Sequence, residues 1–344
     1  MRFLIYTDVH FCEYSSIVRS HGNTYSRRLE NLISSVNWAE SQAKENNCDE
    51  IICLGDFFNK PDLNSRELTA LQDISWANLP HTFLVGNHDA CDRSLIYNSV
   101  SALKNNGFAI INQPTMRHKD NQSFLLLPYI SEDDRKSLVE YSDNADSKSL
   151  YVFSHNDIKG LQYGNFLSKE GFSIDEIEAS CRLFLNGHLH NGDMFCKNGV
   201  NIGNLTGQNF SEDALKYPHC AAILDTFTNT LSFLENPYAL NFYKLDYTSI
   251  NDTNYSFEIK ENSVLSIRCR SDQADYIKST LLSLKKSIVD YRVSVIPELL
   301  EDEIVKQNIA TYANTDHKVK FVEFCKSNLA LSDILLSELQ EVCK

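Results

Sequence analysis

The chain has no hydrophobic run long enough to span a bilayer, no paired-cysteine motif, no surplus of positive charge, and no internal repeat or low-complexity tract. A helical span needs roughly 18 or more consecutive apolar residues. The first residues, MRFLIYTDVH, run straight into a polar motif without a signal-peptide cleavage region. A cytosolic protein without membrane association is expected. Ten cysteines are scattered without CxxC or a repeated spacing, which argues against a thiolate zinc framework and leaves free, partly buried thiols. Lys and Arg number 32 against 46 Asp and Glu, and the net charge of -14 works against non-specific attraction to nucleic acid. With 344 residues, 42% hydrophobic and 23% charged, the composition suits a soluble protein of one large domain plus smaller ones.

What the chain does have is five short polar strings in a fixed order. They are DVH (Asp8, His10), GD (Gly55, Asp56), GNHD (Gly86, Asn87, His88, Asp89), SHND around His155, and GHLH (Gly187, His188, His190). All but one follow a run rich in Ile, Leu, Val and Phe. RFLIYTDVH reads as a buried strand over residues 3–6 that ends by presenting Asp8 and His10, which strand alternation places on one side. EIICLGD, HTFLVGNHD, LYVFSHND and CRLFLNGHLH repeat the arrangement. Ligands at the ends of several strands leaving one sheet edge converge, which is where α/β folds place their sites. Gly55, Gly86 and Gly187 suit the sharp turns and close backbone approach such strand ends need.

The donors are imidazole, carboxylate and amide without thiolate, a set that suits Mn, Fe or Zn in a catalytic rather than a closed structural site. Two ions about 3.5 to 4 Å apart serve in-line displacement at phosphorus, one generating the nucleophile and both neutralising charge. Asp56 is the natural bridging carboxylate. Taken singly the strings are weak, because an Asp or His at a strand end is more often a satisfied polar residue than a ligand. GNHD and GHLH have little packing rationale, and the ordered set of five points to a two-metal phosphoesterase.

In that order, D-x-H, G-D, G-N-H-D, H and G-H-x-H over residues 8–190 resemble the calcineurin-like metallophosphoesterases. Three further segments resemble one branch, the SbcD/Mre-type nucleases of double-strand-break processing, including phage recombination endonuclease subunits. They are LGDFFNKPDLNSREL after the GD string, LLLPYIS, and VNIGNLTGQNFSED followed by CAAILD. The resemblance implies an α/β fold, a four-layer αββα sandwich with a small α/β capping domain and C-terminal partner-binding helices. It implies two Mn2+ ions, with Mg2+ or other divalent ions as substitutes. Asp8, His10, Asp56 and His190 would hold one ion, and Asp56, Asn87, His155 and His188 the other. His88 corresponds to the family's non-ligand catalytic histidine, with Asp89 behind it as an orienting partner. An imidazole that is not a ligand can give a proton to a departing 3′ oxygen, whereas a ligating one cannot. One departure is visible, since HFCEYSS stands where the branch usually has HLG. The implied activities are 3′ to 5′ exonuclease on duplex ends and endonuclease on single strands. The implied partners are DNA, an SbcC-type SMC-like ATPase and a second copy of the chain. A phage origin would place all of this in the host cytoplasm.

Residues 1–245 alternate strand-like runs with helix-like stretches such as 25–46 and 66–76, which predicts two sheets packed face to face with helices outside. A polar stretch at residues 246–256 reads as a boundary. Residues 256–298 then form a strand–helix–strand unit in the position of the capping domain. Residues 299–344 end in two apolar-faced helical stretches, which either pack on the parent domain or dock on the ATPase. A helix over residues 94–105 is either core packing or part of a homodimer bundle. Candidate DNA contacts are Arg27, Arg28, Lys60, Arg66 and Arg93, with Arg117, His118 and Lys119 in a polar loop. Each of these, taken alone, is an ordinary surface charge.

The same metal motif serves small-molecule phosphodiesterases, nucleotidases and protein phosphatases, so it gives reaction type more surely than substrate. A third class is a scaffold subunit with a vestigial site. Against the scaffold stand seven ligand-type side chains and His88, which a protein under no chemical demand has no physical reason to keep at strand ends.

Overall fold

Strand β1 (Arg2–Tyr6) shows how the layers are built. Its Phe3 and Ile5 enter one apolar core, and Leu4 and Tyr6 enter another. Successive strand residues point to opposite faces, so a central strand buried on both sides reads as an unbroken apolar run. The computed structural model describes residues 1–143, 145–163, 166–212, 214–247, 260–283 and 288–295.

After β1 come α1 (Arg27–Glu45), β2 (Glu50–Cys53), α2 (Ser65–Ala70), β3 (His81–Leu84), β4 (Ala109–Ile111), β5 (Thr115–Lys119) and β6 (Gln122–Leu127). Then follow α3 (Leu138–Tyr141), β7 (Leu150–Ser154), α4 (Ile174–Ser180), β8 (Leu183–Asn186), β9 (Asp193–Cys196), β10 (Gly199–Asn201), β11 (Cys220–Asp225) and β12 (Thr230–Glu235). The chain continues through β13 (Asn241–Asp246), β14 (Ser263–Cys269), α5 (Ala274–Ser283) and β15 (Ile288–Val295).

Strands β12-β11-β1-β2-β3-β4 make one six-stranded sheet and β9-β10-β8-β7-β6-β5 the second. In the first, β1 to β4 run parallel and β11 antiparallel to β1. The sheets share a core in which Phe3, Ile5, Ile52 and Leu84 meet Phe124, Leu126, Phe153 and Leu185. On the outer face of the first sheet, Leu29, Leu32, Val36, Ala39 and Ala43 of α1 pack with Leu4, Tyr6, Ile51 and Phe83. On the outer face of the second, Leu138 of α3 and Ile177 of α4 pack with Leu125, Val152 and Phe184. This is the expected four-layer αββα sandwich. Among the described residues no helix is long and apolar enough to cross a membrane.

Local sequence explains the helix ends. The Ser26 side chain accepts from the Leu29 amide to start α1. Asn64 and Glu67 form a reciprocal capping box at α2. The helix expected over residues 94–105 is instead a short 3-10 helix, Ser99–Asn106, capped by Asn98. Leu95 has φ 56°, which a helix cannot accept, and the preceding residues are tied into Asx-type turns by Asp92.

The small unit is a three-stranded sheet in the order β13-β14-β15, all parallel, with Ala274, Ile277 and Leu281 of α5 packed on Tyr243, Leu265 and Ile267. All but the last residue of β13 falls within residues 1–245, which the sequence assigns to the large domain, but the strand pairs in this third sheet. The polar stretch at 246–256 therefore follows the first strand of the small unit rather than preceding it. The docking helices expected in residues 299–344 lie outside the described residues.

Phe153 is fully buried between the sheets, 5.5 Å from the ring of Phe3. Phe153→Ala should destabilise the protein by about 3–5 kcal/mol in urea unfolding. A loss below about 1 kcal/mol would show that the sheet–sheet core does not carry the fold.

Candidate metal centre

The polar strings follow the ends of β1, β2, β3, β7 and β8, and those ends lie side by side because the strands are neighbours in their sheets. Convergence does not come from continued strand alternation. Strand β1 stops at Tyr6, and Asp8 and His10 have φ 50° and 48°. Asp56 at 48° and His188 at 72° adopt the same left-handed conformation. Such a conformation costs a non-glycine residue roughly 1–3 kcal/mol, and this kind of strain concentrates at functional sites. Two glycines allow the loops to close. A Cβ on Gly86 would lie 2.1 Å from Asp56 Oδ1, and one on Gly55, at φ 122°, would lie 2.4 Å from His155 Nδ1.

Three groups of donor atoms come within 4.8 Å of one another: Asp8, His10 and His190; His10, Asp56 and His88; and Asp56, His155 and His188. Asn87 joins the last, its Oδ1 standing 3.0 Å from His188 Nδ1 and 3.3 Å from His155 Nε2. Asp56 lies between the two ends of the cluster, its Oδ2 3.1 Å from His155 Nε2 and 3.8 Å from His10 Nε2. All seven sequence-predicted ligands are therefore brought together.

The cluster is short of positive charge. His190 Nδ1 donates to Glu212 Oε1 at 2.8 Å, and His10 Nδ1 to Asn59 Oδ1 at 3.2 Å. Each ring thus turns its Nε2 inward, and the two Nε2 atoms face each other at 3.1 Å. Two lone pairs at that distance repel unless a proton or a cation lies with them. Buried Asp8 Oδ1 is 3.8 Å and 3.9 Å from these nitrogens and has no hydrogen-bond partner. A buried carboxylate oxygen left unpaired is costly unless a cation takes it.

At the other end, burial opposes charge on His155, but Asp56 raises its pKa to about 9. Burial would raise Asp56, yet His155, then His10 and His88, hold it well below the usual carboxylate range. Burial drives His10 well below the ordinary histidine value. Burial also opposes protonation of His190, and its hydrogen bond to Glu212 carries the pKa upward. The donor set is nitrogen and oxygen, and among the described residues no cysteine stands in these groups. The residues fit two divalent cations sharing Asp56.

His88 is exposed, its backbone N–H donates to Asp56 Oδ1 at 2.8 Å, and its Nδ1 meets the Asn59 carbonyl at 3.2 Å. Asp89 does not orient that ring. Its buried carboxylate accepts from the Phe58 and Gly86 amides at 2.8 Å and 2.9 Å, tying the GD loop to the GNHD loop. Burial, then the charge of Asp56, pushes its pKa up to about 8.

The expected basic surface is also changed. Arg28 is 2% exposed and donates to the Gly207 carbonyl and Gln208 Oε1, so it is a structural prop rather than a phosphate contact. Arg66 pairs with Glu13 at 2.7 Å and Arg93 with Asp133 at 2.6 Å, both exposed, and Lys60 lies 3.9 Å from Glu67. Arg27 is exposed. Arg117, His118 and Lys119 lie on β5 rather than in a loop, and Arg117 pairs with Glu50 at 2.8 Å.

Sequence reasoning missed three residues that touch the histidines. Asn59 and Glu212 are those already described, and Asp157 Oδ1 lies 3.5 Å from His188 Nε2. Asn59 and Glu212 sit in FFNKP and NFSED, outside the five strings, and Asp157 is the last residue of the SHND string, in which the sequence points to His155 alone.

A family model described as calcineurin-like phosphoesterase matches residues 1–224. Solved structures match as well. TT1561 of Thermus thermophilus is 14% identical with a TM-score of 0.38, over 68% of this chain and 98% of that one. A dimetal phosphatase from Danio rerio is 12% identical with a TM-score of 0.39, over 64% and 91%. The calcineurin-like phosphoesterase YfkN from Bacillus subtilis is 9% identical with a TM-score of 0.38, over 68% and 88%. No curated protein matches the chain.

Outer carboxylates on ligating histidines hold ring orientation and tautomer. Glu212→Gln should therefore weaken manganese affinity roughly 10–100-fold by calorimetry with an unchanged circular dichroism spectrum. Unchanged affinity would remove Glu212 from the centre.

Proposed function

The chain belongs to the calcineurin-like phosphoesterase family, and from that premise we propose that it is a manganese-dependent DNA nuclease, the SbcD-like subunit of an SbcCD/Mre-type complex in end processing, recombination and repair. The family makes the chain a metal-dependent phosphoester hydrolase. The observation that carries a diester reading is the placement of His88. Its ring stands beside the donor cluster, 4.8 Å between centroids from His10, yet it is exposed. Three sequence segments that resemble the nuclease branch support DNA as the substrate.

Asp8, His10, Asp56 and His190 would hold one divalent cation, and Asp56, Asn87, His155 and His188 the other. When bound, the pair supplies water activation and neutralisation of phosphate charge. The chain's own residues do the rest. Asp56, ionised between the two ends, fixes the His88 backbone through its Oδ1. The Asn59 carbonyl accepts a hydrogen bond from His88 Nδ1–H, so that in the imidazolium form the Nε2–H is left to give its proton to the departing 3′ oxygen. Glu212 and Asn59 hold the His190 and His10 rings so that their Nε2 atoms face inward. Arg27, Lys60, Arg66 and Arg93 serve as phosphate contacts. Exposed ion pairs such as Arg66–Glu13 are worth little and exchange readily for phosphate. The ATPase partner binds through residues 299–344, and the working unit is a homodimer.

A second reading, hydrolysis of a small phosphodiester or phosphoprotein, is favoured by the net charge of -14. The two are separated with end-labelled duplex and single-stranded DNA in manganese, magnesium and chelator, with bis-p-nitrophenyl phosphate alongside. Manganese-dependent DNA degradation is expected, reduced about 10²–10⁴-fold in His88→Ser while manganese still binds. Asp56→Asn should lose both cleavage and the second equivalent of metal. DNA left intact while the small diester is hydrolysed would select the second reading, and full cleavage by His88→Ser would remove that residue from the reaction.

A further inference from the structure

Along the GHLH loop a cavity of about 640 Å³ opens beside the metal centre, with His188 and His190 in one wall and Leu161, Met194, Phe195 and Tyr217 in others. That volume lies within the range of sites for small ligands, which are largely apolar with a few placed polar groups. Met194 is 68% exposed, and its thioether presents a polarizable surface suited to a flat ring. The Tyr217 ring is held by Lys216, whose Nζ lies 4.7 Å from its centroid.

Charge narrows the occupant. The described residues lining the cavity include Asp193 and Glu212 and no Lys or Arg, while Lys216, beside the wall, stands on the Tyr217 ring. Glu212 is buried and engaged by His190 and the Gln208 amide, whereas Asp193 is exposed on β9 and can accept from a ring N–H. A second phosphate, or the acidic flank of a phosphopeptide, would meet the exposed Asp193 carboxylate here. A neutral heteroaromatic group would meet a polarizable wall with an acceptor on it.

We propose that this cavity is the subsite for the nucleobase carried next to the scissile phosphate, which makes the substrate a nucleoside-containing ester. The base stacks against Met194 and Tyr217 while its phosphate reaches the centre at His188 and His190. The inference rests on the reading of that centre as a phosphodiesterase site.

The test uses the full chain with manganese. Calorimetry compares dTMP with methyl phosphate, and hydrolysis compares thymidine 5′-p-nitrophenyl phosphate with methyl p-nitrophenyl phosphate. The quantity read is the ratio of the thymidine ligand to its methyl counterpart, because a general loss of fold or metal lowers both arms together. The expected ratio favours thymidine by about tenfold and falls towards one in Met194→Ala and in Tyr217→Ala. A ratio near one in the unaltered chain, or one that neither substitution changes, overturns the subsite. If neither ester is hydrolysed but the dTMP affinity ratio still depends on Met194 and Tyr217, the phosphodiesterase reading fails and the subsite stands.

Discussion

Everything around the strand ends depends on one electrostatic constraint: more lone pairs are gathered in one place than the chain's own charges can satisfy. The inward Nε2 atoms of His10 and His190 face each other at 3.1 Å, next to an unpartnered Asp8 Oδ1. Asp56 links this end to His155, whose pKa it raises against the effect of burial. An arrangement of this kind is stable only with positive charge inside it, and two divalent cations satisfy it more fully than protons because each accepts several donors at once.

The surrounding fold is what keeps the cluster from relaxing. Left-handed backbone at Asp8, His10, Asp56 and His188 aims the side chains inward. Asp89 joins the loops after β2 and β3 from below. Buried Arg28 anchors Gln208, whose Nε2 in turn donates to the Asp8 and Val9 carbonyls. These props sit on two apolar cores, one between the sheets and one under α1. Burial of that extent offsets the local strain, and the strained loops follow strands buried at every residue but, in β1 and β8, the first.

Much of this is legible in the chain. Apolar runs ending in Asp, Asn or His mark the strands and their order, and the sandwich and the seven clustered donors follow from them. Other features are not legible, each for a physical reason. Glu212, Asn59 and Asp157 act through one or two contacts across loops, which leave no periodic trace. Arg28 looks like a surface cation because its counter-groups, the Gly207 carbonyl and Gln208, lie about 180 residues away in sequence. Asp89 reads as a partner of its neighbour His88, but backbone amides of two loops claim its carboxylate first. Proximity in sequence assigns residues 241–245 to the large domain, whereas pairing with β14 decides where that strand belongs.

The family sets the reaction, and the charge pattern leaves the substrate as the point of interest. An acidic molecule in which exposed Arg66 and Arg93 are already paired would hold a phosphoester chiefly through its metals, the exchange of weak ion pairs and apolar contact beside the centre. That account stands on the presence of two cations. Anomalous diffraction from crystals grown with manganese tests it most directly. Two peaks are predicted, one among Asp8, His10 and His190, the other among Asn87, His155 and His188, with Asp56 between them. A single peak, or none at an ordered cluster, would contradict it.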